Sequence, residues 1–591
     1  MSDWFTDANG NSPQKIFAQF YATYDAYDVP DWLRILAYVL VIHGLIELFM
    51  YTALTMALPI KWLFGNCTKR QKLMSFSFIV IVLYVRSMYV ALSFNLLPPT
   101  VYARNNGTAY TIPPFFADQV IWIVISTYFI FGSLPLLTGI YAFFQQRVWR
   151  NRAKTPSNIT NYAKVSVIMP IYNEILSDLL ATVHSVLKSN YLGQVDCYCA
   201  FDDDEISDTY LGLLNAFNID TSHPEDLPMV LEIKVEHRLL VIARCVHGGK
   251  RITQGNGWKL VQERNGTTGA HNHHVVLIDS DVVLDIHAIH NIAMMFHTDK
   301  SKKILTGFIT CKETSINPLV LYQQPEYMQG QCIFRVMESC LGGITCAPGA
   351  FTIIQYDELL IAGAFYFDKL PNQRILDYHR FHLGEDRYLT YLVIKNNKRG
   401  AAGMCITARA NTAPVRRFGS FIEQRRRWLL GTLTNETAMI MSFKLWKQVP
   451  LLLIWRTLEF CNRFIFSYVI VFVLFYACDV TDNINALIFY LLPFVTQWFM
   501  IIVYALRFGT YSDIITFFWL LIATPALNTF VYIHALRSFL KRSWGGPRAL
   551  GKANDEIEFD DLDKMLLLDG TETYHEDMNT DYTVKRDFSD Y

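Results

Sequence analysis

Apolar and polar positions divide the chain into long, nearly uncharged runs toward both ends and short apolar stretches punctuated by polar turns between them. Three long runs precede residue 150, Leu33–Leu58, Met74–Leu97 and Phe116–Phe144, each close to the ~20 residues that a helix needs to cross a bilayer. Phe464–Ala477, Ala486–Leu506 and Ile514–Leu536 form a second group. Between the groups, residues 155–440 alternate β-branched apolar segments with longer helical patterns, which predicts a mostly parallel sheet wrapped by helices. Val165–Met169, Asp196–Phe201 and Val275–Ile278 read as buried strands. Each runs straight into polar residues: Pro170-Ile171-Tyr172-Asn173-Glu174, Asp202-Asp203-Asp204-Glu205, and Asp279-Ser280-Asp281. Ligands of open α/β sheets sit beyond the carboxyl ends of the strands, so these three ends are expected to meet at one pocket.

Basic residues set the orientation. Lys61, Lys69, Arg70 and Lys72 follow the first run, and Arg147, Arg150, Arg152 and Lys154 follow the third, which places both segments and the 155–440 domain in the cytosol. Residues 1–32 and the 98–115 loop, with its sequon Asn106-Gly107-Thr108, then lie outside. Asp3, Asp7 and Asp25 stand where a cleaved signal would be basic, so the first of the three transmembrane helices expected in 33–146 serves as the targeting signal. Residues 441–550 are expected to hold an interface helix, further transmembrane helices and one re-entrant segment. If all three later runs crossed, Arg537, Lys541, Arg542 and Arg548 would lie outside. Pro525 offers a way out by breaking Ile514–Leu536 into two arms that return to the cytosolic side. Residues 551–591 are acidic without a sustained apolar period, which predicts a disordered cytosolic tail.

Composition agrees with a bilayer partner: of 591 residues 52% are hydrophobic and 14% aromatic, while 18% are charged against about 25% in soluble domains. A net charge of -1 speaks against nucleic acid as a partner. The 11 cysteines are irregularly spaced without a CxxC, which excludes a disulfide framework and a zinc site.

Three constellations can carry chemistry. Asp279 and Asp281, two apart on an extended strand end, point to one side and can share a hard divalent cation that neutralises a diphosphate leaving group. Asp202-Asp203-Asp204 matches the same pattern, and such aspartates also serve simply as caps and turns. Gly384-Glu385-Asp386-Arg387 opens a helical pattern, so Glu385 and Asp386 are either first-turn acids favoured by the helix dipole or a base for a sugar hydroxyl. Gln424-Arg425-Arg426-Arg427-Trp428 reads either as a basic, aromatic membrane flank or as a planar fork for pyrophosphate beside a flat face for a sugar ring.

The run His382-Leu383-Gly384-Glu385-Asp386-Arg387-Tyr388-Leu389-Thr390 followed by Gln424–Trp428 resembles the chitin synthases. Gly249-Lys250-Arg251, Glu326-Tyr327, Glu338-Ser339, Gly342 to Gly349, Thr412-Ala413-Pro414 and Ser543-Trp544-Gly545 match in the family's order, over roughly residues 165–548. The resemblance implies a GT-A glycosyltransferase domain inserted between transmembrane α-helices of the plasma membrane. It also implies polymerisation of N-acetylglucosamine from UDP-GlcNAc into β-1,4-linked chitin, with inversion and translocation of the nascent chain. Pro170, Tyr172, Glu174 and Asp202 would contact uridine, Lys250 the diphosphate, and Asp279 and Asp281 the nucleotide and a Mg²⁺ or Mn²⁺ ion. Asp386 would be the general base with Glu385 beside it, Gln424 and Arg427 would hold the diphosphate, and Trp428 would stack on the acceptor. The family also admits a homodimer. The acidic run 202–205 departs from the more usual Asp-Gly. A hyaluronan synthase, which would also need UDP-glucuronate, shares the strand into Asp281 and the acidic run. Thr345-Cys346-Ala347-Pro348-Gly349 and the triple arginine favour chitin synthase over it. A transporter that merely senses nucleotide sugar would need neither Asp386 nor Trp428.

Overall fold

The computed structural model describes residues 31–65, 67–96, 133–152, 161–203, 205–266, 272–311, 316–367, 374–462 and 484–542. Most of the N-terminal segment 1–32, much of Phe116–Phe144, all of Phe464–Ala477, Ser543 to Gly545, Arg548 and the tail 551–591 lie outside these residues.

The strands are β1 (Lys164–Ile171), β2 (Val195–Phe201), β3 (Val230–Val235), β4 (Arg238–Arg244), β5 (His273–Ile278), β6 (Val282–Leu284), β7 (Ile304–Thr310), β8 (Phe351–Gln355) and β9 (Ala402–Thr412). They form one sheet in the order β3-β4-β2-β1-β5-β8-β7-β9-β6. The three strands read from the sequence are β2, β1 and β5, side by side and parallel. Every residue of β2 and β5 is buried, which is why a sheet covered on both faces appears in the sequence as unbroken apolar runs. β1 and β2 stay paired to Ile171 and Phe201, whereas β5 leaves β1 after Ile168 and Leu277. A cleft can therefore open beyond Pro170.

The sheet is α/β and helix-flanked as expected, with antiparallel pairs joined to its parallel ones. β8 runs antiparallel to both β5 and β7, β6 to β9, and β3 to β4. The β3–β4 reversal has a local cause: Glu236, at the tight turn, adopts φ 52°, which closes a hairpin directly without a crossover helix.

The domain is flanked by Asp31–Phe64 and Lys69–Leu96 on one side in sequence and by Ile484–Phe508 and Ser512–Arg537 on the other. Among the described residues, Tyr38–Phe64 and Ser512–Arg537 are long and apolar enough to cross a membrane. The two-armed break expected at Pro525 is absent, because Ser512–Arg537 is one continuous helix through that residue. The proline removes the N–H that would bond the Leu521 carbonyl, and threonine hydroxyls add bonds on either side of it, Thr524 to the Leu520 carbonyl at 2.6 Å and Thr529 to the Pro525 carbonyl at 3.1 Å. Along its length this helix lies against the sheet domain. Trp519 donates to the Pro318 carbonyl, Thr524 meets Tyr322, Phe530 packs edge-on to Phe418, and His534 bonds Glu423.

Candidate active site

The carboxyl ends of β1, β2 and β5 meet as the sequence implied. Ser280, just past β5, donates to Glu174 past β1 at 2.5 Å. Asp202, at the end of β2, accepts the backbone N–H of Gly248 and of Gly249 on its two oxygens, at 2.9 and 3.0 Å. Gly249 holds φ 81°, a conformation that suits glycine, and ends the loop just where the Lys250–Asn265 helix begins. Asp202 thus positions Lys250. Burial raises the Asp202 pKa, although these hydrogen bonds counter it. Tyr172 lies over His247 with ring centroids 5.1 Å apart, and Pro170 is buried against Ala200 of β2.

Lys250 links the strand ends to the acidic motif 134 residues later in sequence, its amine 2.8 Å from Asp279 and 3.3 Å from Glu385. Burial disfavours the ammonium, but Asp279, Asp386 and Glu385 outweigh it and lift its pKa above the ordinary value. Glu385 is itself buried, and desolvation reinforced by Asp386 raises it to about 7 despite Lys250 and Arg427. Asp386 is less buried and faces Gly349: a Cβ added there would stand 2.7 Å from its Oδ1 and 3.0 Å from the Lys250 amine. Arg427 completes the cluster. Burial lowers its pKa, and the charges of Glu385, Asp279 and Asp386 oppose that.

The 418–440 helix carries the arginines, and because successive helical residues diverge by ~100°, the three meet different surroundings. Arg425 grips Glu326 with two nitrogens and lies 4.1 Å from the centroid of Trp428. Arg426 is fully buried and bonds the segment past Ser512–Arg537. Arg427 alone faces the carboxylates. Gln424 accepts from Arg425 at 2.5 Å, which holds its side chain beside the arginine fork. Trp428 remains 37% exposed with Tyr327 edge-on at 6.1 Å, which leaves ring surface for a ligand to cover.

Residues 269–443 match the family model of a chitin synthase-like glycosyltransferase domain, a span that includes Asp279, Asp281, Asp386 and the arginine motif. Chitin synthase VI of Metarhizium acridum is 29% identical over 447 residues, 73% of this chain and 70% of its own length. Chitin synthase 7 of Pyricularia oryzae is 29% identical over 74% of this chain and 54% of its own, and chitin synthase 6 of Gibberella zeae 28% over 82% and 64%. The chain is thus similar to chitin synthases over about three quarters of its length, and residues 269–443 match a chitin synthase-like glycosyltransferase domain. Its alignments span about half to seven tenths of those relatives. Among solved structures, the mannosyltransferase PcManGT from Pyrobaculum calidifontis in complex with GDP-Man and Mn²⁺ aligns over 71% of this chain at 14% identity, with a TM-score of 0.39.

Several of the sequence motifs act on one another. Glu338 accepts the Thr345 amide and hydroxyl, both at 2.9 Å, and Arg335 at 2.9 Å. Arg387 pairs with the buried Glu436, which also pairs with Arg456, and Arg456 reaches Glu459 at 3.2 Å. Thr390 accepts the Ala347 amide at 2.8 Å and donates to the Asp386 carbonyl at 2.7 Å. Asn435, fully buried, donates to the carbonyls of Arg380 and Gly384. Removing one partner of a buried ion pair such as Arg456–Glu436 costs about 3–5 kcal/mol, so these residues fix the start of the Glu385–Asn396 helix that carries Asp386. Glu436, Asn435 and Arg456 escaped the sequence reading, since only the bare helical spacing 435–436 after the arginine motif hinted at them.

For a cation, the donor chemistry fits. Asp279 and Asp281 offer carboxylate oxygens at a half-buried strand end, suited to an ion whose remaining ligands come from a diphosphate. The one cluster of three ligating side chains among the described residues, His223, Glu225 and Asp226, is exposed and precedes β3 at the outer edge of the sheet.

Proposed function

We propose that this chain polymerises N-acetylglucosamine from UDP-GlcNAc into β-1,4-linked chitin and passes the product across a membrane. The observation that carries it is the convergence of Lys250, Asp279, Glu385, Asp386 and Arg427 on one cluster bordered by the exposed face of Trp428. In this reading Pro170, Tyr172, Glu174 and Asp202 line the uridine pocket. Lys250, Gln424 and Arg427 spread the charge of the diphosphate, with Lys250 leaving Glu385 for it. A Mg²⁺ or Mn²⁺ ion held by Asp281 and Asp279 would supply Lewis-acid neutralisation of the departing UDP.

Trp428 stacks the end of the growing chain so that its 4-hydroxyl faces C1 of the donor. That oxygen bonds to C1 as the C1–O bond to UDP breaks, its proton passes to Asp386, and the anomeric centre inverts in a single displacement. Asp386 suits this task better than Glu385 because it is more accessible, while Glu385, held near 7, keeps the pair from carrying two full negative charges. The catalytic domain lies in the cytosol, and the product leaves between the apolar helices.

The test is a membrane preparation of the chain given UDP-GlcNAc alone. Insoluble, chitinase-sensitive polymer with stoichiometric UDP release supports the reading. A requirement for UDP-glucuronate, or donor binding without UDP release, overturns it.

A further inference from the structure

We infer that Arg426 is a positioning residue of the polymerising site: it caps the C-terminal end of the Ser512–Arg537 helix and thereby fixes Arg427 and Trp428 relative to that apolar helix. This rests on the function proposed above. An α-helix ends with carbonyls that lack intrahelical partners and carry its negative dipole end. Here a fully buried guanidinium meets the C-cap residue Ser538 and the turn that follows it: Arg426 Nε donates to Ser538 Oγ at 2.6 Å, and Nη2 donates to the carbonyls of Ser538 at 2.8 Å and Lys541 at 3.1 Å. Ser538 Oγ in turn donates to the His534 carbonyl at 2.5 Å, so acceptor and donor form one chain.

The same segment makes two further contacts. His534 bonds Glu423, which lies 3.9 Å from Arg426 on the same helix. Phe539 packs edge-on to the buried His379 at 4.9 Å, seven residues before Asp386. Residues 534–541 therefore touch both the helix that presents Trp428 and the segment that leads to the base. A charged fork on carbonyls is a geometric demand: lysine keeps the charge but offers a single nitrogen for three acceptors that a planar group spans. Loss of the cap lets the arginine helix shift, and displacement near 1 Å at reacting groups costs on the order of 10²-fold in rate.

The experiment uses the full-length protein purified in detergent, comparing Arg426→Lys and the milder Ser538→Ala with the parent. For Arg426→Lys, UDP binding and the donor KM should stay within about threefold while polymer kcat falls at least ~10-fold, and UDP release should exceed sugar incorporated because water replaces the misplaced acceptor. Ser538→Ala, which loses one of the three bonds, should move the same ratio by a few fold, and it decides the matter if Arg426→Lys does not fold. A merely structural role lowers kcat in proportion to folded enzyme and leaves UDP release matched to incorporation. That result, or Arg426→Lys within twofold of the parent, overturns the inference. A parent that does not turn over UDP-GlcNAc overturns the functional reading instead.

Discussion

Replacing Gly349 with alanine adds one methyl group where the proposed base Asp386 and the proposed diphosphate ligand Lys250 come together. The new carbon would stand 2.7 Å from Asp386 Oδ1 and 3.0 Å from Lys250 Nζ, whereas ordinary contacts of this kind begin near 3.4 Å, so the carboxylate has to withdraw by about 0.7 Å. Lys250 cannot easily yield, being held by Asp279 and Glu385. The backbone at 349 lies outside the left-handed region, so alanine adds no conformational strain there. Misplacement by 1 Å costs about 10²-fold, and a shift of this size should lower kcat by roughly 10- to 50-fold. UDP release by the purified variant measures the effect, with melting temperature as the check on folding. Gly343→Ala is the control, because its added carbon meets nothing nearer than 3.5 Å. If Gly349→Ala works within twofold of the parent, Asp386 does not sit at the reacting centre.

Asp281→Asn should weaken metal-dependent donor binding and turnover together, by ~10-fold or more, as read by titration of UDP with and without Mg²⁺. Since Ser512–Arg537 hugs the sheet domain along its length, cysteine labelling should find Ser543 reachable from the cytosolic side, and labelling only from outside would mean that the helix crosses completely. Burial depresses His273 and His379 to about 3 and His274 and His382 to about 4, so stability is present above 6.5 and falls as pH drops through 5 toward 4, by on the order of 2 kcal/mol per histidine at pH 5. Glu385, raised to about 7, acts oppositely, its contribution being present below 4.5 and lost as pH rises through 7. The histidines outnumber it, so the melting temperature should drop between pH 6.5 and 5, and a flat profile would contradict the burial argument.

The convergence of three strand ends was legible because a strand covered on both faces leaves an unbroken apolar run that stops at its polar end, as at Ile278-Asp279. Antiparallel β8 and β6 were not, since direction is set by partners: β8 aligns Phe351 with Ile278 across 73 residues of chain. The arginine triplet showed its chemistry but not its division of labour. Glu326 lies 99 residues from Arg425 and Ser538 112 from Arg426, separations that no local pattern encodes. Pro525 misled for a related reason: a proline costs one backbone bond, and whether a helix runs through it is decided by the packing around it.

The most direct test of the central claim is Asp386→Asn. Asp386 lies in the first turn of the Glu385–Asn396 helix, whose N-cap is Gly384, so a role limited to the helix dipole allows a loss of only about 0.3–1 kcal/mol and substantial residual synthesis. A base role removes the proton acceptor alone, and polymer formation should fall at least ~10²-fold while UDP binding and folding persist. Polymer within about tenfold of the parent from folded, UDP-binding Asp386→Asn enzyme would contradict the assignment and turn attention to Glu385.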